Sequence, residues 1–397
     1  MTNDVWITGT GLVSALGEGD EGHWAALSDP ARWRQAIDSE TFKPFHVHPI
    51  RTIDLDRYIP RKGDQRQMGP LQQYGAYAAG MALAAAGIAG NADLLKNTHL
   101  VVASTGGERD EALDGQIVAS LTEKPDREVL LNEQLSTGLR PTLFLAQLPN
   151  LFAGNISIVH GVSGSSRTFM GEEAAGIDAL RVAFERIGAG QGDCFLIGSA
   201  FNAARRDSML VFQPALLADA MTSLWHRPTG GMTLGSMGTF LVAESRAHAE
   251  ARGARPLARL RAVMNDRCRR EPGAASANAQ RQWDAIAPLL GDAPLGLMSG
   301  ASGAGPITGE ERDFLERRAG KAPLAVRGTA AAIGHGMEAS FLANVILAIS
   351  CVGRGSVFPA LDPDEPIEAT AASGVRQAVV TGWGHWRGEG LALVEAV

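Results

Sequence analysis

The sequence predicts an α/β protein in which helices cover parallel sheets and two similar halves meet near residue 250. Three observations favour this fold. Short apolar runs alternate with longer segments whose apolar residues have helical spacing. Glycines end several of these segments, where the chain must turn. The same strand-and-helix order occurs in 1–250 and again in 251–397, which indicates an internal duplication.

Both kinds of segment occur in turn through the first half. The run Val5-Trp-Ile-Thr predicts a buried strand that ends at Gly9, and an alanine-rich stretch predicts a helix that ends at Gly87. Apolar residues at helical spacing predict a helix over 171–187. Further strands are predicted over 100–103, 194–197 and 238–244.

The second half repeats this order. Phe341, Val345 and Ile349 are four residues apart, so they share one face of a long apolar helix predicted over 337–351. Two more helices are predicted, one over 278–290 and one that begins at Thr308 with acidic residues in its first turn. Strands are predicted over 257–263, 295–298, 324–327, 379–380 and 391–394.

The composition is that of an ordinary globular protein. The 397 residues are 45% hydrophobic and 20% charged, which excludes wholesale disorder. A formal net charge of −7 argues against nucleic acid as a partner. The start of the chain lacks the features of a signal peptide, and we expect no membrane span. Three cysteines indicate a reducing compartment, so we expect a cytoplasmic protein.

The residues alone show no catalytic set. His46 and His48 are too few to hold zinc, so we expect no metal. The stretch from Gly9 to Ser14 is similar to a dinucleotide fingerprint, but it lacks the third glycine and a later acidic residue, so we expect no cofactor. The cysteines Cys194, Cys268 and Cys351 stand in strand, loop and helix contexts that favour packing over catalysis.

Several collinear motifs resemble those of the β-ketoacyl-acyl-carrier-protein synthases of the thiolase superfamily. They are the opening strand and turn over 5–17, the segment 148–161 and the glycine-rich stretch 232–244. The resemblance extends over nearly the whole chain. It implies a thiolase-like five-layer α-β-α-β-α fold with two duplicated halves.

The catalytic residues of that family do not carry over. The resemblance places Glu173 where the family has its nucleophilic cysteine, and Ser302 where it has its first histidine. His335 corresponds to the second histidine, although an alternative register places Thr329 there. Ala330 stands at the position of the family's lysine. Because a carboxylate cannot carry a thioester as a thiolate does, the resemblance implies an inactive site in which Glu173 lies beside Ser302 and near His335.

Two other regions have counterparts in the family. Trp383, His385 and Trp386 resemble its aromatic gate near the end of the chain. The family forms two-fold dimers through the strand before the nucleophile helix, which corresponds to 163–170 here. Phe169 and Met170 are therefore candidate interface residues.

The resemblance supports two hypotheses about function. In the first, the chain is a non-catalytic chain length factor. It would pair with an active β-ketoacyl-ACP synthase subunit and, through the complex, act on acyl chains bound to acyl carrier protein. The pathway would be that of a fatty acid, an aryl polyene or a polyketide. The segment Glu108 to Arg140 would then face the partner's acyl tunnel, where Leu130 and Leu131 either cap the acyl chain or simply fill the core.

In the second hypothesis the chain is an enzyme in its own right. It would be a malonyl-thioester decarboxylase, an acyl-thioester hydrolase or a diverged synthase that uses Glu173 and His335. Burial of Glu173 would have to raise the pKa of its carboxyl into a useful range for this chemistry.

Overall fold

A computed structural model describes residues 3–123, 126–138, 147–212, 216–227, 230–320 and 323–397. Within these ranges, ten main strands form two sets of five. The first set is β1 (Val5–Ser14), β2 (His99–Ala103), β3 (Ser166–Phe169), β4 (Cys194–Phe201) and β5 (Met237–Ser245). The second set is β6 (Ala258–Asp266), β7 (Leu295–Met298), β8 (Leu324–Arg327), β9 (Gln377–Trp383) and β10 (Glu389–Glu395).

The two sets have the same strand order. The first runs β3-β2-β4-β5-β1 and the second runs β8-β7-β9-β10-β6. In each set the second, third and fourth strands are parallel, and the fifth is antiparallel to both its neighbours. This shared topology confirms the predicted duplication. The expectation of purely parallel sheets was wrong: β10 follows β9 through the short turn 384–388, which can join only antiparallel neighbours.

The two sets meet edge to edge at one short junction. β1 pairs with β6 antiparallel at Val5–Leu260, Trp6–Arg259 and Ile7–Ala258. The hydrogen-bonded path is therefore continuous through both halves. The helix Arg246–Ala251 connects β5 to β6. The division into residues 1–250 and 251–397 stays a prediction.

Six main helices complete the layers. They are α1 (Pro70–Ala85), α2 (Pro149–His160), α3 (Glu172–Gly188), α4 (Ala274–Ile286), α5 (Ile307–Ala319) and α6 (Ser340–Arg354). The helices α3 and α6 pack against each other and against strands of both sets. The helices α1 and α2 cover the outer face of the first set, and α4 and α5 cover that of the second. The predicted α-β-α-β-α order is confirmed.

Shorter elements connect these parts. The short strands are Gly17–Glu18, which pairs with β1, and Val47–His48, which pairs with Leu234–Gly235. The other helices are Gly19–Leu27, Pro30–Gln35, Lys62–Gln67, Ala92–Asn97, Glu111–Glu123, Arg127–Thr137, Arg206–Phe212 and Ala330–Ile333. Turns of 3-10 helix occur at Leu55–Arg57, Ala287–Leu289, Met337–Ala339 and Pro366–Glu368.

The α6 helix is strongly apolar. Together with the turn before it, it spans Met337–Arg354, which is long and apolar enough to cross a membrane by length and composition. However, 83% of this span is buried inside the protein. A helix that packs between two sets of strands must be apolar on most of its faces, so α6 is explained as a core helix.

The glycines of the opening motif allow α1 to approach β1 closely. A Cβ atom on Gly9 would lie 2.3 Å from the carbonyl oxygen of Ala82, and one on Gly11 would lie 2.1 Å from that of Ala78. Both distances are far below van der Waals contact. The similarity of this stretch to a dinucleotide fingerprint therefore reflects the packing of helix on strand.

We predict that Gly11→Ala lowers the free energy of unfolding by about 3 kcal/mol, because the added methyl group would push α1 off β1. Gly22→Ala is the matched control. A Cβ there meets nothing within 4 Å and lies within the helix Gly19–Leu27, so it should be neutral or stabilise by up to about 1 kcal/mol. Urea denaturation measures both. Equal midpoints for Gly11→Ala and the wild type would contradict this packing.

Candidate functional site

The central feature of the site is the start of α3. The chain enters this helix through a sharp turn, in which Gly171 has φ 126° and Glu172 has φ 59°. The second value lies in the left-handed region, which is uncommon for a residue with a side chain. Glu173 follows at once, and only 4% of its surface is exposed. The turn thus places the carboxylate of Glu173 in the protein interior.

Two histidines from the second half contact this carboxylate. Oε1 of Glu173 lies 3.0 Å from Nε2 of His335 and 2.9 Å from Nδ1 of His385. The backbone N–H of His385 also donates to Oε1 at 3.2 Å. Three donors thus surround one buried oxygen, which leaves the carboxylate well satisfied.

These contacts decide the charge of the groups. Burial alone would raise the pKa of Glu173, but hydrogen bonds from His335 and His385 outweigh it and hold that pKa well below its usual range. Burial would lower the pKa of His385, but the hydrogen bond and the charge of Glu173 raise it. Glu173 is therefore an ionised carboxylate that favours a protonated His385.

A serine fixes the orientation of His335. The hydroxyl of Ser340 accepts the backbone N–H of Gly336 at 2.7 Å and lies 3.3 Å from Nδ1 of His335. This contact leaves Nε2 of the imidazole to face Glu173. The second histidine of the resemblance is thus held in place by the first turn of α6.

Little free space remains beside the carboxylate. The cavity at Glu173 has a volume of about 20 Å³, and its walls include Thr329, Ala330, His335 and Trp383. This volume holds about one water molecule. The residues of both alternative registers, His335 and Thr329, therefore line the site. Of these two, His335 is the one that hydrogen-bonds to Glu173.

Ser302 was expected beside Glu173, and no hydrogen bond joins the two within the described residues. Its neighbour Ala301 lines the cavity. The Ser302 hydroxyl accepts the backbone N–H of Ala304 at 3.2 Å, within a turn in which Gly303 has φ 91°. The turn thus uses this hydroxyl locally, as serine commonly does.

The gate-like residues have three different environments. Trp383 is 2% exposed and packs against Phe314, with ring centroids 5.8 Å apart. His385 contacts Glu173 and meets the ring of Phe212 edge-on at 6.1 Å. Trp386 is 65% exposed. The sequence does not predict the contact between His385 and Glu173. The resemblance assigns His385 only to the gate-like motif.

An ion pair outside the site anchors the same turn. Arg270 donates to the backbone carbonyl of Gly384 and pairs with the buried Glu389. Asn278 donates to Glu389 as well, at 2.6 Å. Gly384 directly precedes His385. The contacts of Arg270 with Gly384 and Glu389 therefore help to hold the His385 imidazole against Glu173.

The three cysteines of the chain all have thiols with a raised pKa. Burial raises the pKa of Cys194 in β4 and of Cys351 in α6 to about 12 in each case. Burial and the nearby Glu389 raise the pKa of Cys268 to about 11. All three thiols are therefore protonated near neutral pH. Within the described residues, no group of three or more His, Cys, Asp and Glu side chains is placed to hold a metal ion.

Comparison with known sequences assigns the family. The family described as "Beta-ketoacyl synthase, N-terminal domain" matches residues 2–224, so the chain belongs to the β-ketoacyl synthase family. It is 26% identical to 3-oxoacyl-[acyl-carrier-protein] synthase 2 of Vibrio cholerae serotype O1 over 261 residues, which cover 63% of this chain and 60% of the relative. It is 27% identical to the protein of that name from Rhizobium meliloti (strain 1021), over 63% of this chain and 61% of the relative. The chain thus matches about 60% of the length of these curated relatives.

Solved structures share the whole fold. The ishigamide ketosynthase/chain length factor superposes with a TM-score of 0.80 at 20% identity and full coverage of both chains. A beta-ketoacyl synthase from Burkholderia phymatum STM815 gives 0.78 at 19% identity, again with full coverage of both. A type II polyketide ketosynthase solved with its acyl carrier protein gives 0.75 at 16% identity, also with full coverage of both. These matches confirm the thiolase-like fold.

We predict that Glu173→Ala lowers the free energy of unfolding by about 3 kcal/mol, because three buried donors lose their acceptor. Acetate should then bind in the vacated space and restore much of the loss in a saturable manner. Thermal denaturation over an acetate series measures this effect, with acetamide as the neutral control. An equal effect of acetamide would show that the site does not select a carboxylate.

We further predict that the stabilising effect of Glu173 depends on pH. The pKa of His385 is raised on folding, so its contribution is complete below about pH 6.5 and is lost as the pH rises through the folded value. The pKa of Glu173 is lowered, so its contribution is present above about pH 4.5 and fades as the pH falls further. The difference in unfolding free energy between wild type and Glu173→Gln should therefore shrink towards both pH extremes.

Urea denaturation over a pH series checks this pattern. Glu250→Gln is the control, since Glu250 forms an exposed pair with Arg246. A constant difference between wild type and Glu173→Gln from about pH 6 to about pH 9 would contradict the charged pair.

Proposed function

We propose that the chain is a non-catalytic, ketosynthase-like subunit, a chain length factor. It pairs with an active β-ketoacyl-ACP synthase in the cytoplasm and helps to elongate ACP-bound acyl chains. The observation that carries this proposal is the filled site. The position that the resemblance assigns to the nucleophile holds the carboxylate of Glu173, which two histidines bind with about 20 Å³ of free space beside it.

The chemistry of condensation supports an accessory role. The family's nucleophile must become a thiolate that carries the acyl chain. Glu173 instead accepts a hydrogen bond from His335. The three cysteines have raised pKa values, so their thiols are protonated near neutral pH. Two of the similar structures are a ketosynthase/chain length factor and a ketosynthase with its acyl carrier protein. The similarity of these structures to this chain supports an active synthase and an acyl carrier protein as its partners. The product, whether a fatty acid, an aryl polyene or a polyketide, is left open.

The edge strand β3 supports the proposed pairing surface. Within the described residues it hydrogen-bonds to β2 alone, so its other edge is open. Met170, just after the strand, is 61% exposed, and Ile158 on α2 is 68% exposed. Phe169 is partly buried and has Arg167 near its ring. An open strand edge with apolar residues beside it favours association with another sheet edge.

The segment proposed to face the partner's tunnel is Glu108 to Arg140. Its described part contains the helices Glu111–Glu123 and Arg127–Thr137, while residues 124–125 and 139–140 lie outside the described residues. Leu130 is buried, at 7% exposed, whereas Leu131 is 37% exposed. Leu131 is therefore the better candidate of the two for contact with an acyl chain.

The alternative of an independent enzyme loses support. It required burial to raise the pKa of Glu173, but the two histidines lower that pKa. It also required space for a malonyl or acyl thioester beside the carboxylate, and the cavity there holds about one water molecule. The contact between Glu173 and His335 remains, but it serves to satisfy a buried charge.

We predict that the chain co-purifies with an active β-ketoacyl-ACP synthase encoded by a neighbouring gene and alters the length of its products. The chain alone should not condense malonyl units. Glu173→Cys should also be inactive alone, because Ser302 and Ala330 replace groups that the family uses. Co-expression, pull-down and mass spectrometry of the products test this. Unchanged products from the isolated partner, or condensation by this chain alone, would overturn the proposal.

We also predict that Met170→Asp weakens binding to the partner synthase by about thirtyfold or more, because a charge at the centre of an apolar interface is costly to bury. Leu257→Asp is the matched control. Leu257 is also exposed, at 37%, but it lies next to the β1–β6 junction. Calorimetric titration gives both affinities. Equal loss in the two variants would place the partner elsewhere.

A further inference from the structure

A second, larger cavity lies at the start of α3. It has a volume of about 360 Å³, and its walls include Glu172, Phe201, Arg205, Phe212 and Glu338. It shares no lining residue with the small cavity at Glu173. The first turn of α3 thus contributes neighbouring glutamates to two different cavities.

Two carboxylates at this cavity each have one oxygen without a hydrogen-bond partner within the described residues. Glu338 is 3% exposed, and within the described residues its Oε2 atom is buried without a hydrogen-bond partner. Oε2 of Glu172 is buried and unpartnered in the same way. Burial raises the pKa of Glu338 to about 7, and the charges of Glu173 and Glu172 raise it as well, against hydrogen bonds from backbone N–H groups. Buried carboxylate oxygens are normally paired, so a ligand with a hydrogen-bond donor would satisfy these two oxygens.

The two arginines on the wall of the cavity already form ion pairs with other carboxylates. Arg205 forms an ion pair with Asp207, and Arg109 pairs with Asp114 at 2.6 Å. Neither arginine is hydrogen-bonded to Glu172 or Glu338 within the described residues. Other parts of the wall are apolar and include Phe201, Val211, Phe212 and Met337. The cavity therefore combines two unpartnered carboxyl oxygens with an apolar, aromatic surface.

We propose that this cavity binds a primary ammonium group carried on a short apolar chain. The ammonium would donate to the unpartnered oxygens of Glu338 and Glu172, as charge-assisted hydrogen bonds require. The apolar chain would lie along Phe201 and Phe212, whose ring faces also attract a cation. The same chemistry is offered by a small alkylamine and by a lysine side chain of a partner subunit. Binding of an amine to the isolated chain does not rest on the proposed function.

Calorimetric titration of the full chain with n-hexylammonium tests the site. Hexan-1-ol and hexanoate are the matched probes, with the same chain but no positive charge. We expect saturable binding of n-hexylammonium that weakens at least about tenfold in Glu338→Gln and in Glu172→Gln, but not in Glu250→Gln. The Glu172 variant keeps the test informative if Glu338→Gln does not fold, since Glu172 is only partly buried. No saturable binding, equal binding of hexan-1-ol, or unchanged affinity in both variants would overturn the proposal.

A second arm identifies the source of the ammonium group. If a lysine of the partner synthase fills the cavity, n-hexylammonium should bind the free chain but not the complex, and Glu338→Gln should weaken the complex. If a small amine is the ligand, the complex should bind n-hexylammonium as tightly as the free chain does. If no complex forms, the proposed function fails, while amine binding by the isolated chain still decides this inference.

Discussion

The hydrogen bonds between Glu173 and the histidines His335 and His385 are the constraint on which the rest of the site depends. They connect the first turn of α3, in the first half, to two segments of the second half. One is the stretch before α6, and the other is the turn between β9 and β10. A buried carboxylate is tolerated only when it is paired, so the hydrogen bonds that satisfy Glu173 also connect the two halves.

Two glutamates near one helix start show how strongly environment sets charge. Glu173 and Glu338 are both almost fully buried. Glu173 has imidazole donors and a lowered pKa, whereas the pKa of Glu338 is raised to about 7 because burial is opposed only by backbone N–H groups. Burial tends to raise the pKa of both carboxyl groups, and the hydrogen-bond donors around each one decide whether its pKa ends up lowered or raised.

The sequence predicts local and periodic features better than distant contacts. The repeated order of strands and helices predicted the duplication, because each element shows its own hydrophobic period. The antiparallel fifth strand of each set was not predicted, since strand direction depends on how segments are connected in space. The contacts of Glu173 join residues 162 and 212 positions apart, which no spacing rule reveals. Position 173 was found through the resemblance, which aligns such residues without deriving their contacts. Gly9 and Gly11 are similar to a motif for cofactors, yet their role is to admit a helix.

The two outer edges of the sheet are not alike, although duplication would make them equivalent. At one end β3 exposes Ser166 and Arg167. At the other, all four residues of β8 are buried, and Arg327 donates to the carbonyl of Phe358 at 2.7 Å and to that of Thr370 at 3.2 Å, which ties the chain over that edge. A sheet with one open edge can be extended only once. Edge-to-edge association through β3 would therefore stop at a stoichiometry of two and could not propagate into a filament.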